Sequence, residues 1–95
     1  MIRLSVLYPA TEGADFDHDY YRDSHVPLAC STWGLDAADI DKGVDGPYVA
    51  AVHFTFDSME ALGAAMGSPD TAKVIGDVAN YTTIQPVMQT SEIVS

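Results

Sequence analysis

One stretch, residues 48–56 (YVAAVHFTF), limits the possible folds of this chain more than any other. Nine residues rich in aromatic and β-branched side chains, with no Gly or Pro among them, read as a strand. Side chains alternate across a strand. Ala50, Val52, Phe54 and Phe56 therefore share one face, and Val49 and Ala51 share the other with His53 and Thr55. Both faces carry apolar surface. One layer of helices covers only one face of a sheet, so a second cover is needed. In a chain of 95 residues the available cover is a second copy of itself.

The rest of the chain arranges itself around that strand. Residues 2–9 (IRLSVLYP) alternate apolar and polar, the period of a half-buried strand that Pro9 ends. From Asp15 the pattern turns helical through about residue 32, with Asp15 as N-cap and Gly34 as the stop. Pro27 lies inside that run and must either kink the helix or begin a second one. Residues 35–46 are acidic and give a weak strand or a long loop. Asp57-Ser58-Met59-Glu60 reads as a capping box opening a helix through about Met66. Ser68-Pro69-Asp70 opens another, running to about Ala79 with Pro69 in its permitted first position. Residues 81–94 form a last strand with Pro86 near its beginning. The order βαββαβ is the ferredoxin-like pattern, an α+β fold in one domain over 1–95. Helices cover one face of a four-stranded antiparallel sheet, and sheet-to-sheet dimerisation covers the other.

Charge and cysteine content exclude several classes of function. Fourteen acidic residues against four basic ones give a net charge of −10. Arg3, Arg22, Lys42 and Lys73 cannot neutralise a run of phosphates, so neither nucleic acid nor an anionic membrane surface is an expected partner. Cys30 stands alone and excludes both an internal disulfide and a cysteine-built metal centre. No apolar run approaches the ~20 residues of a membrane span. Residues 1–13 lack a signal-peptide pattern, and the expected location is the cytoplasm.

The segment FDHDYYRDSHVPLA, Phe16 to Ala29, resembles the signature of the EthD-like (ethyl tert-butyl ether degradation) family. It carries a Phe-Asp, then paired aromatics, then a helical His followed two residues later by Pro-Leu. A second block, SPDTAKVIGDVANYT, is similar to the family's other recurrent stretch, with Asp77, Asn80 and Tyr81 at its marked positions. The resemblance implies a dimeric α/β barrel of ferredoxin-like subunits. It also implies kinship with cofactor-independent monooxygenases, cyclases and decarboxylases of small aromatic or polyketide substrates.

His25 leads the candidates for chemistry. An imidazole in a helix whose following residues are apolar sits partly buried against the sheet, where it can titrate near neutrality and move a proton. The competing reading, which the residues alone favour, is a structural histidine tying helix to sheet; the resemblance brings the two readings level. Tyr21 shares its helical stripe and is expected to assist, and Asp77 can orient the imidazole or merely sit on a helix surface. Phe16, Tyr20, Leu28, Trp33, His53 and Phe54 are the expected ligand-binding set, although core aromatics look the same in sequence. His53 faces either a cavity or the dimer contact, the latter being favoured. Asn80 is expected to end its helix in the left-handed conformation. No metal site is expected. His18 and His25 lie ~10 Å apart along a helix. The Asp15-x-Asp17-x-Asp19 run has Tyr20 and Val26 where a calcium loop needs Gly and Glu. Cys30 points away from His25 and reads as a small buried hydrophobe.

Three functions compete. One is an enzyme without a cofactor, acting by oxygenation, cyclisation or decarboxylation on a small aromatic or enolisable substrate with His25 as acid/base. Another is a non-catalytic ligand-binding or accessory dimer. Haem handling is the third, and the scarcity of basic residues for the propionates counts against it.

Overall fold

The computed structural model describes residues 1–95. Its strands are β1 (Ile2–Pro9), β2 (Asp39–Lys42), β3 (Tyr48–Phe56) and β4 (Val87–Glu92). They form one antiparallel sheet in the order β2-β3-β1-β4. Three helical segments pack on one face. The first, α1, covers residues 18–33; α2 is Met59–Met66 and α3 is Thr71–Asp77. This is the α+β, ferredoxin-like arrangement that the element order implied.

The doubly apolar strand β3 lies inside the sheet, between β2 and β1. Its even-numbered residues Ala50, Val52, Phe54 and Phe56 are buried under the helices with Leu4 and Tyr8 of β1. Pairing Leu4 with Phe54 and Tyr8 with Ala50 puts both central strands in a register that faces their apolar sides the same way. An aromatic cluster fills the space between sheet and helices. Tyr8 meets Phe16, Tyr21 and Tyr81 edge-on, with ring centroids 5.0, 5.5 and 6.0 Å apart. Each such pair contributes about 0.5–1.5 kcal/mol beyond its burial.

The helix α1 begins later than the sequence pattern suggests. Asp17, not Asp15, is its cap, accepting from the Tyr20 backbone N–H at 3.0 Å. Phe16 is withdrawn from the helix into a β-bridge with Thr82, which places its ring in the aromatic cluster. Residues Tyr21–His25 form a π-helical turn, in which Val26 N–H reaches the Tyr21 carbonyl five residues back. Pro27 explains the distortion. It lacks an N–H, and in a regular helix its ring would strike a carbonyl of the preceding turn; the wider turn gives it room. The helix then resumes over Val26–Trp33, and Gly34, at φ 68°, ends it in the left-handed conformation.

Other boundaries also shift for local reasons. Ser58 caps α2 by accepting from Ala61 N–H, but the capping box is incomplete because Ala61 stands where a reciprocal carboxylate would be. Pro69 falls in a turn before α3 rather than in its first position. Residues 78–80 tighten into a 3₁₀ turn, and Asn80 does not adopt the expected left-handed conformation. The last strand starts at Val87, directly after Pro86, rather than at 81. Between β2 and β3, Gly43 is required by close approach: any side chain there would run into the backbone at Tyr48 and Val49.

The second face of the sheet carries no helix. Leu7 pairs with Ala51 on one side and Val87 on the other, an apolar row across three strands. Ala51 is already buried within one chain, so Leu7 and Val87, rather than Ala51, hold the apolar surface open to a partner. No helix is long and apolar enough to cross a membrane.

Candidate functional site

The helices and the sheet enclose a cavity of about 250 Å³. Twelve of its fifteen lining residues are hydrophobic, which leaves few polar atoms to direct a ligand. Val6 and Tyr8 of β1 and Val52 and Phe54 of β3 form its floor. Tyr21, His25, Ala29 and Trp33 of α1 form one wall, and α3 supplies the facing one.

His25 is 5% exposed, and the route its side chain takes is set by the π turn. The wider turn stacks the Tyr21 and His25 rings, 5.5 Å apart and 15° from parallel. His25 Nδ1 lies 2.9 Å from Asp77 Oδ2, across the gap between α1 and α3. The other Asp77 oxygen accepts from Tyr20 Oη at 2.7 Å and from Asn80 Nδ2 at 2.8 Å. Partial burial pushes the Asp77 carboxyl upward, but these donors and His25 outweigh it and hold the group below its ordinary range. Asp77 is therefore ionised at neutral pH and can only accept. Nδ1 must carry the proton, and Nε2 of a neutral ring carries none.

Burial is also the dominant influence on His25, lowering its pKa against the opposing pull of Asp77. A lowered value keeps the ring neutral at pH 7, with Nε2 unprotonated. No protein atom bonds Nε2, and the ring lines the cavity. The arrangement is a base oriented by a carboxylate, with its working nitrogen free.

Around this pair the remaining polar groups are committed, with one exception. Tyr8 and Tyr81 share a hydroxyl–hydroxyl bond of 2.7 Å. The Thr71 hydroxyl donates to the Ala65 carbonyl and accepts from Trp33 Nε1–H at 2.9 Å. The Tyr21 hydroxyl is buried and bonds nothing. Burial pushes its pKa well above the ordinary tyrosine value, so it is a neutral donor.

The structure gathers most of the sequence candidates here, though not all of them. Tyr21, His25, Trp33 and Phe54 line the cavity, and Asp77 stands behind His25. Tyr20 does not line it; its phenol positions Asp77 from outside. Leu28 is turned aside, half-buried against the core, and Phe16 lines a shallower hollow with Glu12, Asp15 and His18. His53 lies on the open face of the sheet, because odd positions of β3 point away from the helices. There it bonds Ser5 Oγ at 2.7 Å and Asp41 Oδ2 at 3.1 Å. That serine–histidine–aspartate line lacks an oxyanion site, since the neighbouring backbone N–H groups serve the sheet ladder. Val74, Met66 and Met88 complete the cavity wall and were not singled out in the sequence, where apolar residues carry no mark of which cavity they border. No group of three or more His, Cys, Asp or Glu side chains converges to hold a metal ion.

A family model described as the EthD domain matches residues 10–85. Among solved structures, an EthD-like protein of Ralstonia eutropha JMP134 is 43% identical, with 99% of this chain and 92% of that one covered and a TM-score of 0.90. A dimeric ferredoxin-like protein of Thermobifida fusca YX is 18% identical over 97% of this chain and 90% of that one, with a TM-score of 0.63. An antibiotic biosynthesis monooxygenase is 13% identical, fully covered in both directions, with a TM-score of 0.56. None of the curated proteins matches the chain.

Proposed function

Because this chain belongs to the EthD family, we propose that it is a cytoplasmic, homodimeric enzyme that moves a proton on a small enolisable or aromatic substrate, with His25 as the acid–base group and no cofactor. One observation carries the reading: His25 lines an apolar cavity with Nδ1 held by Asp77 and Nε2 unbonded. In the reaction Nε2 takes a proton from the carbon beside a carbonyl. The C–H electron pair moves onto the carbonyl oxygen as an enolate, and the new imidazolium is stabilised by the Asp77 carboxylate. The same enolate is the entry point to cyclisation or oxygenation, and in reverse it is the product of decarboxylation. The likeness to an antibiotic biosynthesis monooxygenase supports the fold's capacity for such chemistry. The apolar row Leu7–Ala51–Val87 on the open sheet face, and the Thermobifida neighbour described as dimeric, support the homodimer.

A non-catalytic binding dimer is the second reading. The observation on its side is that the His25–Asp77 bond ties α1 to α3 and so has a structural use. Deuterium exchange at the benzylic α-carbon of 2-tetralone in D₂O, followed by NMR, separates the two. The enzyme reading expects accelerated exchange that falls about 10²- to 10⁴-fold in His25→Ala. Binding without acceleration by the wild-type protein would support the second reading.

A further inference from the structure

The cavity itself narrows the class of substrate. This step rests on its being the substrate site. None of Arg3, Arg22, Lys42 and Lys73 lines it, and no carboxylate does. An ionised ligand group would be buried there with no standing counter-ion, since the resting His25 is neutral and backed by the Asp77 carboxylate, a penalty of several kcal/mol. Two polar groups on the lining residues have no protein partner. His25 Nε2 is an unprotonated base, and the Tyr21 hydroxyl is a donor whose residue is 1% exposed and which bonds no protein atom. Tyr8 Oη, bonded to Tyr81, keeps a lone pair and lies near enough to perturb that phenol, but not in a position to accept a well-formed hydrogen bond from it. A buried hydroxyl without a partner is costly, by about 1–3 kcal/mol, and it marks a place where an acceptor is missing.

The two open groups sit on one π turn with their rings stacked. A single small molecule can therefore meet both. The complement of a donor beside a base, in an apolar slot, is an uncharged flat molecule with a carbonyl oxygen next to an acidic C–H. We infer that the substrate is an uncharged ketone or keto tautomer whose carbonyl oxygen accepts from Tyr21 Oη while His25 Nε2 faces the adjacent carbon. Tyr21 then stabilises the enolate oxygen as charge develops on it, the role of an oxyanion donor. Carboxylates and ammonium compounds are excluded by the lining, which leaves cyclisation or oxygenation, and not decarboxylation of an ionised acid, as the course of the enolate.

Trp33, the chain's one tryptophan, lines the cavity, so its fluorescence reports occupancy without any turnover. The test titrates three probes of similar shape: 2-tetralone, its parent hydrocarbon tetralin, and the anion 2-naphthoate. The expected order is 2-tetralone tightest, tetralin weaker, and 2-naphthoate at least about tenfold weaker than the ketone, given the cost of an unpaired buried charge. Tyr21→Phe should weaken 2-tetralone about two- to tenfold, the worth of one net hydrogen bond, and leave tetralin unchanged. In the wild-type complex, the infrared carbonyl stretch of ¹³C-labelled 2-tetralone should shift to lower frequency, which tests the contact without any variant. Naphthoate binding as tightly as the ketone, an unshifted carbonyl stretch, equal losses for ketone and hydrocarbon in Tyr21→Phe, or no binding of any probe would each overturn the inference. Ketone binding through Tyr21 without deuterium exchange would support it while refuting the acid–base role of His25.

Discussion

Replacing Asp77 by Asn tests the orientation of His25 with little change of shape. Asp77 accepts from His25 on one oxygen and from Tyr20 and Asn80 on the other. An asparagine has one accepting oxygen and one donating NH₂. If the NH₂ faces His25, the imidazole must accept at Nδ1, its proton moves to Nε2, and the base is lost. If the oxygen faces His25, the NH₂ meets the Asn80 donor, and the imidazolium formed in the reaction has no carboxylate beside it. Either arrangement removes oriented base catalysis, so the 2-tetralone exchange rate should fall about 10²- to 10⁴-fold. Stability should fall less sharply. Hydrogen bonds to a charged acceptor contribute ~1.5–3 kcal/mol each, and neutral replacements recover part of that, leaving a loss of ~1–3 kcal/mol. In a chain of 95 residues each kcal/mol lowers Tm by about 4–8 °C, and a total of about 5–15 kcal/mol keeps the variant folded. A variant with lowered Tm but an exchange rate within about threefold of wild type would refute the argument, because Asp77 would then be a structural tie alone.

Other outcomes follow from the same geometry. Tyr20→Phe removes the 2.7 Å bond to Asp77, so exchange should slow about two- to tenfold, and its acid limb should move to higher pH as the freed carboxylate holds imidazolium more strongly; an unmoved limb would show that Tyr20 does not act through Asp77. Acidification should destabilise the fold in two stages. His25, lowered from 6.5 chiefly by burial, leaves the folded state with fewer bound protons than the unfolded one just below that pH; Asp77, lowered from 3.8, adds its loss at lower pH still. Thermal melts across pH 3–8 check this sign, and a His25→Ala variant whose melts keep the same slope near pH 6 would contradict it. Leu7→Glu, at the centre of the open apolar row, should convert a dimer into a monomer by sedimentation at micromolar concentration, and a wild-type monomer there would remove the dimer altogether.

How much of this was legible in the sequence depends on the length scale of the cause. The strands β1 and β3 announce themselves by alternation over eight or nine residues, and the helix stop at Gly34 by one residue's conformational freedom. The π turn did not. Pro27 signalled a defect, but whether a helix kinks, restarts or widens depends on what its face packs against, here Tyr81 and the sheet. The start of α1 shifted because Phe16 is drawn away by Thr82, sixty-six positions later in the chain. His25, Tyr21 and Asp77 were recognisable from residue chemistry together with the two family-like blocks. Their union across α1 and α3 is a tertiary fact. His53 illustrates the opposite case: alternation places it opposite Phe54, on the open face, but does not say whether a cavity or a dimer contact lies there. Tyr20 meets a similar limit, since a phenol that touches ligand and one that holds a carboxylate share the same helical stripe.

The central claim is that His25 presents an unprotonated Nε2 to the cavity at neutral pH. Heteronuclear NMR of ¹⁵N-histidine-labelled protein at pH 7 reads this directly, with His25→Ala identifying the resonance. The account predicts a neutral ring with its proton on Nδ1, a pyridine-like Nε2, and an Nε2 shift that moves when 2-tetralone is added. A ring protonated on Nε2, or a doubly protonated imidazolium at pH 7, would contradict it.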